Sequence, residues 1–183
     1  MLRFSANLGM LWANRSLPDA IFAAKAAGFD AVECHWPYST DPEDVRSALK
    51  ETNLRMLSLN TRRGDHASGD FGLGADAEQG RASVIEAADY ARAIDAQSIH
   101  VMPGVYSGSK AWKTFTETLD FACEHAAEKT ILVEPLNPYD VPGYLLSDLE
   151  AAFPVQGQPA TEQFDAGVLV PHGRNRDRHR QRA

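Results

Sequence analysis

The sequence predicts an α/β fold in which successive βα units build a parallel sheet. Short strand-like patterns begin near residues 3, 30, 54, 97 and 130. One helical pattern lies between each consecutive pair, the arrangement that joins parallel strands. The run Thr130-Ile131-Leu132-Val133 ends in Glu134 and then Pro135, which places a carboxylate where an apolar strand leaves the sheet. In a parallel α/β barrel that edge handles metals and substrates. A glutamate that caps a loop or pairs with a nearby cation is the competing reading of Glu134.

The elements follow in order. Phe4 to Leu8 is a short strand. Ser16 is placed to cap a helix carrying Ile21, Phe22, Ala24 and Ala27, and Gly28 to end it. Asp30 to His35 is a second strand. Asp41-Pro42-Glu43-Asp44 supplies a cap, a first-turn proline and acids suited to a helix N-terminus, with Val45, Ala48 and Leu49 as the apolar stripe. Leu54 to Leu59 is a third strand, closed by Asn60. The long polar loop from Arg63 to Gly74 has the length of a functional or mobile segment. Val84, Ile85, Ala88, Ala91 and Ile94 mark the next helix, and Ser98 to Met102 a fourth strand. Trp112, Phe115, Leu119, Ala122 and Ala126 step by three and four, as an amphipathic helix requires. Ser147 and Glu150 form a capping box for a helix that Pro154 stops, and Gln163-Phe164-Asp165 marks the edge of a sixth strand.

With 183 residues, 44% hydrophobic and 23% charged, the chain suits one globular domain. A closed (β/α)8 barrel takes about 250 residues. Doubly wound sheets share the same alternation, but no GxGxxG follows the first strand and no GxxxxGK[ST] occurs, which weighs against nucleotide binding. The net charge of −7 argues against nucleic acid as a partner. Cys34 and Cys123 form no CxxC motif and read as reduced thiols. The amino terminus lacks the apolar stretch of a signal peptide and no run reaches membrane-spanning length, so a cytoplasmic protein is expected.

Several segments resemble a known family. Arg3 to Leu8, Gly28 to Glu33, Asn60 with Gly64-Asp65, His100-Val101-Met102-Pro103-Gly104, Val133-Glu134-Pro135-Leu136-Asn137 and Asp140-Val141-Pro142-Gly143-Tyr144 occur in order. Together they are similar to the hydroxypyruvate isomerase family, within the xylose isomerase-like TIM barrels. The resemblance implies a (β/α)8 barrel, here an incomplete one of five to six βα units over residues 1–166. It implies a divalent metal, Mg²⁺ or Mn²⁺, with Glu134 as ligand and proton-transfer group and Asp165 as a further ligand. The substrate would be a small keto acid or sugar acid.

The match breaks at Gly167: the family has an aromatic residue and then His after that Asp, whereas here Ala166-Gly167 intervene and no His stands there. The shift into an arginine-rich end is what a reading-frame change in a GC-rich coding sequence would produce. Residues 167–183 are therefore expected to be a non-native basic tail. The incomplete barrel, lacking a second catalytic Glu, is expected not to turn over and to self-associate through open sheet edges. A coding sequence with no family-like continuation in another frame past Asp165 would refute this.

Carbonyl migration between adjacent carbons needs a proton removed beside one carbonyl and returned to the neighbouring carbon. A hard cation and a carboxylate of adjusted pKa suit that chemistry. Asn60, Asp65 and His100 are the expected substrate-binding residues; a core role for His100 and a turn role for Asp65 are the structural alternatives. His35, Trp36 and Tyr38 line the pocket or pack beside it. Arg62 and Arg63 attract an anionic keto acid or stand as solvated charges. The rival functions are a non-catalytic sugar-binding or assembly module, and an epimerase or endonuclease-like relative on the same barrel.

Overall fold

The structure, a computed structural model, describes residues 2–148 and the backbone of residues 164–166. Its strands are β1 (Ser5–Asn7), β2 (Ala31–Glu33), β3 (Arg55–Met56), β4 (Ser58–Asn60), β5 (Ser98–His100), β6 (Thr130–Val133) and β7 (Phe164–Ala166). The helices are α1 (Leu17–Ala26), α2 (Pro42–Thr52), α3 (Gln79–Ala93) and α4 (Gly108–His125). All strand pairs are parallel, in the orders β1-β2-β3 and β4-β5-β6-β7.

β3 and β4 are two halves of the single strand expected at Leu54 to Leu59, interrupted at Leu57. The Leu57 N–H donates to Val32 O at 2.8 Å, and Asn60 N–H to His35 O at 2.8 Å, so β2 remains bonded along both halves. Each strand thus lies beside the next one in sequence. A doubly wound sheet reverses its strand order partway; none of these pairings does, and the order is that of a partial barrel.

Local sequence accounts for the helices. The Ser16 hydroxyl accepts from Asp19 N–H at the start of α1. At its end Gly28, at φ +87°, donates to Lys25 O while Phe29 N–H reaches back to Ala24 O. Asp41 accepts from Glu43 N–H to cap α2, and left-handed Asn53 ends it. In α3 the Asp76 carboxylate receives the N–H groups of Glu78 and Gln79.

The inward faces join one core in which Ile21, Val45, Val84, Ile99, Phe115 and Ile131 are fully buried. Each such side chain contributes about 1.5–3 kcal/mol through its removal from water. Two predicted stripes are narrower than expected. Phe22 of the first helix and Ile85 of the third are exposed, because each sits one residue, about 100° of helix, from a neighbour (Ile21, Val84) that takes the inward position. Ala27 is exposed because it is the C-cap just past α1. The helix expected from Ser147 and the tail expected over 167–183 lie outside the described residues. No helix among the described residues is long and apolar enough to cross a membrane.

Candidate active site

Parallel strands all present their carboxyl ends on one edge, and the polar residues collect there. A cavity of about 340 Å³ is lined by Asn7 at the end of β1, Glu33 at the end of β2, His35 just beyond it, Asn60 ending β4, His100 ending β5, and Glu134 just past β6. Register places Asn7 beside Glu33 and Asn60 beside His100. One polar side chain from each successive strand is thereby brought to a common level.

Second contacts hold several of these groups. The Ser5 hydroxyl donates to the Glu33 carboxylate. Asn7 Oδ1 accepts from Gly9 N–H at 3.0 Å. The Tyr38 hydroxyl donates to Asn60 O at 2.5 Å, which pins the end of β4. Position 9 has no room for a side chain, since a Cβ there would lie 2.1 Å from His35 Nδ1.

The electrostatics separate the two central groups. Burial, reinforced by His35, pushes His100 down to about 4, so its imidazole is neutral near pH 7. Burial, reinforced by Glu33, pushes Glu134 up to about 7. His100 Nδ1 is 3.9 Å from Glu134 Oε2, too far for a hydrogen bond, and with a neutral imidazole the two are neighbours rather than an ion pair. His100 Nδ1 lies 3.3 Å from Asn60 Oδ1, which assigns the ring proton to Nδ1. Its Nε2 is buried without a hydrogen-bond partner among the described residues, as is the Tyr144 hydroxyl. The Tyr144 pKa is raised by burial first and by Glu134 second.

Of the predicted residues, Glu134, Asn60 and His100 stand together in this cavity. Asp65 does not line it. Its carboxylate caps the turn His66–Ser68, accepting from Ala67 N–H at 2.9 Å and the Ser68 hydroxyl at 2.7 Å, the turn role available to it from sequence. Asp165 lies opposite Leu132 across the β6–β7 pairing, while its side chain falls outside the described residues. His35 lines the cavity; Trp36 packs edge-on against Phe71, and Tyr38 against Tyr90. Arg62 is committed to Glu86, at 2.5 and 2.6 Å. No disulfide joins Cys34 and Cys123. Sequence reasoning passed over Asn7 and Glu33, although both end strands as Glu134 does.

Among the described residues no three His, Cys, Asp or Glu side chains converge closely enough to hold a metal ion. The described part of the chain is therefore not a complete cation site, and Glu134 is the one predicted ligand whose side chain it includes.

The family profile described as "xylose isomerase-like TIM barrel" matches residues 21–153. The chain is 36% identical over 157 residues to the 2-oxo-tetronate isomerase of Cupriavidus necator, covering 80% of this chain and 60% of the relative. It is 32% identical over 161 residues to the hydroxypyruvate isomerase of Escherichia coli K12, covering 83% of this chain and 62% of the relative. Among solved structures, the AP endonuclease, family 2 from Brucella melitensis superimposes with a TM-score of 0.85 at 30% identity, over 91% of this chain and 67% of that one. D-allulose 3-epimerase from Methylomonas sp., at 17% identity and TM-score 0.72 over 91% of this chain and 62% of that one, shares the fold. The chain spans about 60% of the length of these curated relatives.

Proposed function

Because the chain belongs to the xylose isomerase-like TIM barrel family, we propose that it serves the isomerisation of a small 2-keto acid, of the kind that converts hydroxypyruvate to tartronate semialdehyde. The observation that carries this reading is the convergence of polar side chains from successive strand ends on one cavity that contains Glu134. The names of the two curated relatives supply the substrate class.

In this reading Glu134 takes a proton from C3 of the keto acid, leaving an enediolate across C2 and C3. Delivery of a proton to C2 and transfer of the hydroxyl proton from O3 to O2 complete the isomerisation. Asn60 offers its amide N–H groups to a substrate oxygen, since its Oδ1 already faces His100. The neutral His100 ring presents Nε2 as an acceptor for a substrate hydroxyl.

Glu134 and Asp165 would hold a divalent ion, Mg²⁺ or Mn²⁺, whose positive charge stabilises the enediolate. The pairing of β7 with β6 supports Asp165 as a neighbour of this edge. The proposal includes a cytoplasmic setting and self-association through sheet edges.

The test follows hydroxypyruvate by proton NMR in D₂O with Mg²⁺ or Mn²⁺ present. Exchange of the C3 protons for deuterium that disappears in Glu134→Gln is the expected result. Exchange without aldehyde product would mark a chain that performs the first proton transfer alone. Binding with no exchange above the buffer rate would overturn the isomerase reading and favour a non-catalytic sugar-acid binder.

A further inference from the structure

Arg62 and Arg63 are adjacent in sequence and have opposite fates. Arg62 is exposed and makes a two-point ion pair with Glu86 of α3. Arg63 has no carboxylate partner among the described residues. Its guanidinium lies 4.6 Å from the centre of the Phe71 ring and 5.3 Å from that of Trp36. Aromatic faces attract a cation without consuming its N–H donors. Arg63 Nε is buried with no hydrogen-bond partner among the described residues, and so is the indole Nε1 of nearby Trp36. Two buried donors in one place, one on a permanent cation, call for a ligand rich in acceptors and negatively charged.

The surroundings fix this pair beside the cavity. Gly72 N–H donates to Arg63 O at 2.7 Å, and Gly72 bridges to Pro103, just beyond β5. The loop is therefore tied to the strand end that carries His100. Phe71 packs against Tyr144 with ring centres 6.2 Å apart, and the Tyr144 hydroxyl feels the charge of Glu134. On the other side, Trp36 adjoins His35, which lines the cavity, and the charge of Arg63 reaches that imidazole.

We propose that Arg63, with the Trp36 indole N–H as second donor, receives the carboxylate of the acid substrate and so selects an anionic keto acid over a neutral ketose. This rests on the keto-acid reading above and adds the residue that distinguishes acid from sugar. The carboxylate would meet these donors from the cavity side, where His35 adjoins Trp36, leaving the carbonyl and C3 toward Glu134.

The experiment measures binding of three probes to the full chain by titration calorimetry: hydroxypyruvate, oxalate, and dihydroxyacetone, in which a hydroxymethyl group replaces the carboxylate. Arg63→Met is expected to weaken both anions by about tenfold or more while leaving dihydroxyacetone unchanged. Arg63→Lys, which keeps the charge and loses the planar fork, is expected to fall between. Equal weakening of all three probes would assign Arg63 a packing role only and overturn the proposal. Unchanged anion binding, or no anion binding by the parent chain, overturns it as well. Arg63-dependent oxalate binding without proton exchange on hydroxypyruvate would retain the carboxylate site and remove the isomerase reading. Proton exchange on hydroxypyruvate with unaltered affinity in Arg63→Met would do the reverse.

Discussion

The Nδ1 of His100 stands 3.3 Å from Oδ1 of Asn60, across the paired ends of β5 and β4. This contact gives Nδ1 the ring proton and turns the Nε2 lone pair to a place where no group among the described residues meets it. Replacing the Asn60 amide with a carboxylate would favour the charged ring. Asn60→Asp is expected to raise the His100 pKa from about 4 by about one unit or more. NMR titration of the imidazole reads this directly; an unmoved value would mean that the two side chains do not face one another.

His100 also sets a pH dependence in the metal-free protein. Its folded value of about 4 lies below the ordinary 6.5, so the unfolded chain takes up a proton first as the pH falls. The stability associated with the neutral ring is complete above 6.5 and is lost between 6.5 and about 4. The full loss is about 3 kcal/mol. Urea unfolding midpoints across this range should show the slope in the parent chain and a flatter profile in His100→Gln. Identical profiles would refute the assignment.

Glu134 works in the opposite direction. Its folded value of about 7 exceeds the ordinary 4.5, so the folded state retains a proton that the unfolded state releases. Stability therefore falls as the pH rises from 4.5 to about 7 and is level above that. Without added metal, Glu134→Gln is expected to be more stable than the parent at pH 8 by about 1 kcal/mol, allowing for solvent screening, and equal to it at pH 4. The same variant loses proton exchange. A variant less stable than the parent at pH 8 would contradict a desolvated carboxyl group.

Gly72 is held at φ +123°, where a Cβ would meet Met102 O at 2.6 Å. Gly72→Ala is expected to cost about 2 kcal/mol from backbone strain and crowding together. The loop through Arg63 should then exchange its amide hydrogens faster, because Gly72 N–H anchors Arg63 O. A variant with unchanged stability and loop protection would show that this close approach is not maintained in solution.

Features set by neighbouring residues were legible from sequence. The Asp41-Pro42 helix start, the Gly28 stop and the exit of Glu134 from its strand each depend on a few adjacent side chains, and each is found in the fold. Strand order was not legible, because alternation fits a barrel and a doubly wound sheet alike; only the hydrogen bonding between neighbours decides it. The same information is needed to see that Asn7 and Glu33 join Glu134. Ile85 reads as core because the helical period tolerates an error of one position, whereas packing does not. Nothing in the Arg62-Arg63 pair reveals which one meets Glu86, since that acid arrives from a helix 24 residues away.

Winding strand by strand also orders events during synthesis. A nascent chain lays down Asn7, Glu33, Asn60 and His100 before Glu134 leaves the ribosome. Glu134 then joins polar side chains that all precede it along the chain. In the proposed reading the proton-transfer group is thus the latest of these five to be made, and a chain halted before β6 would hold the polar niche without its base.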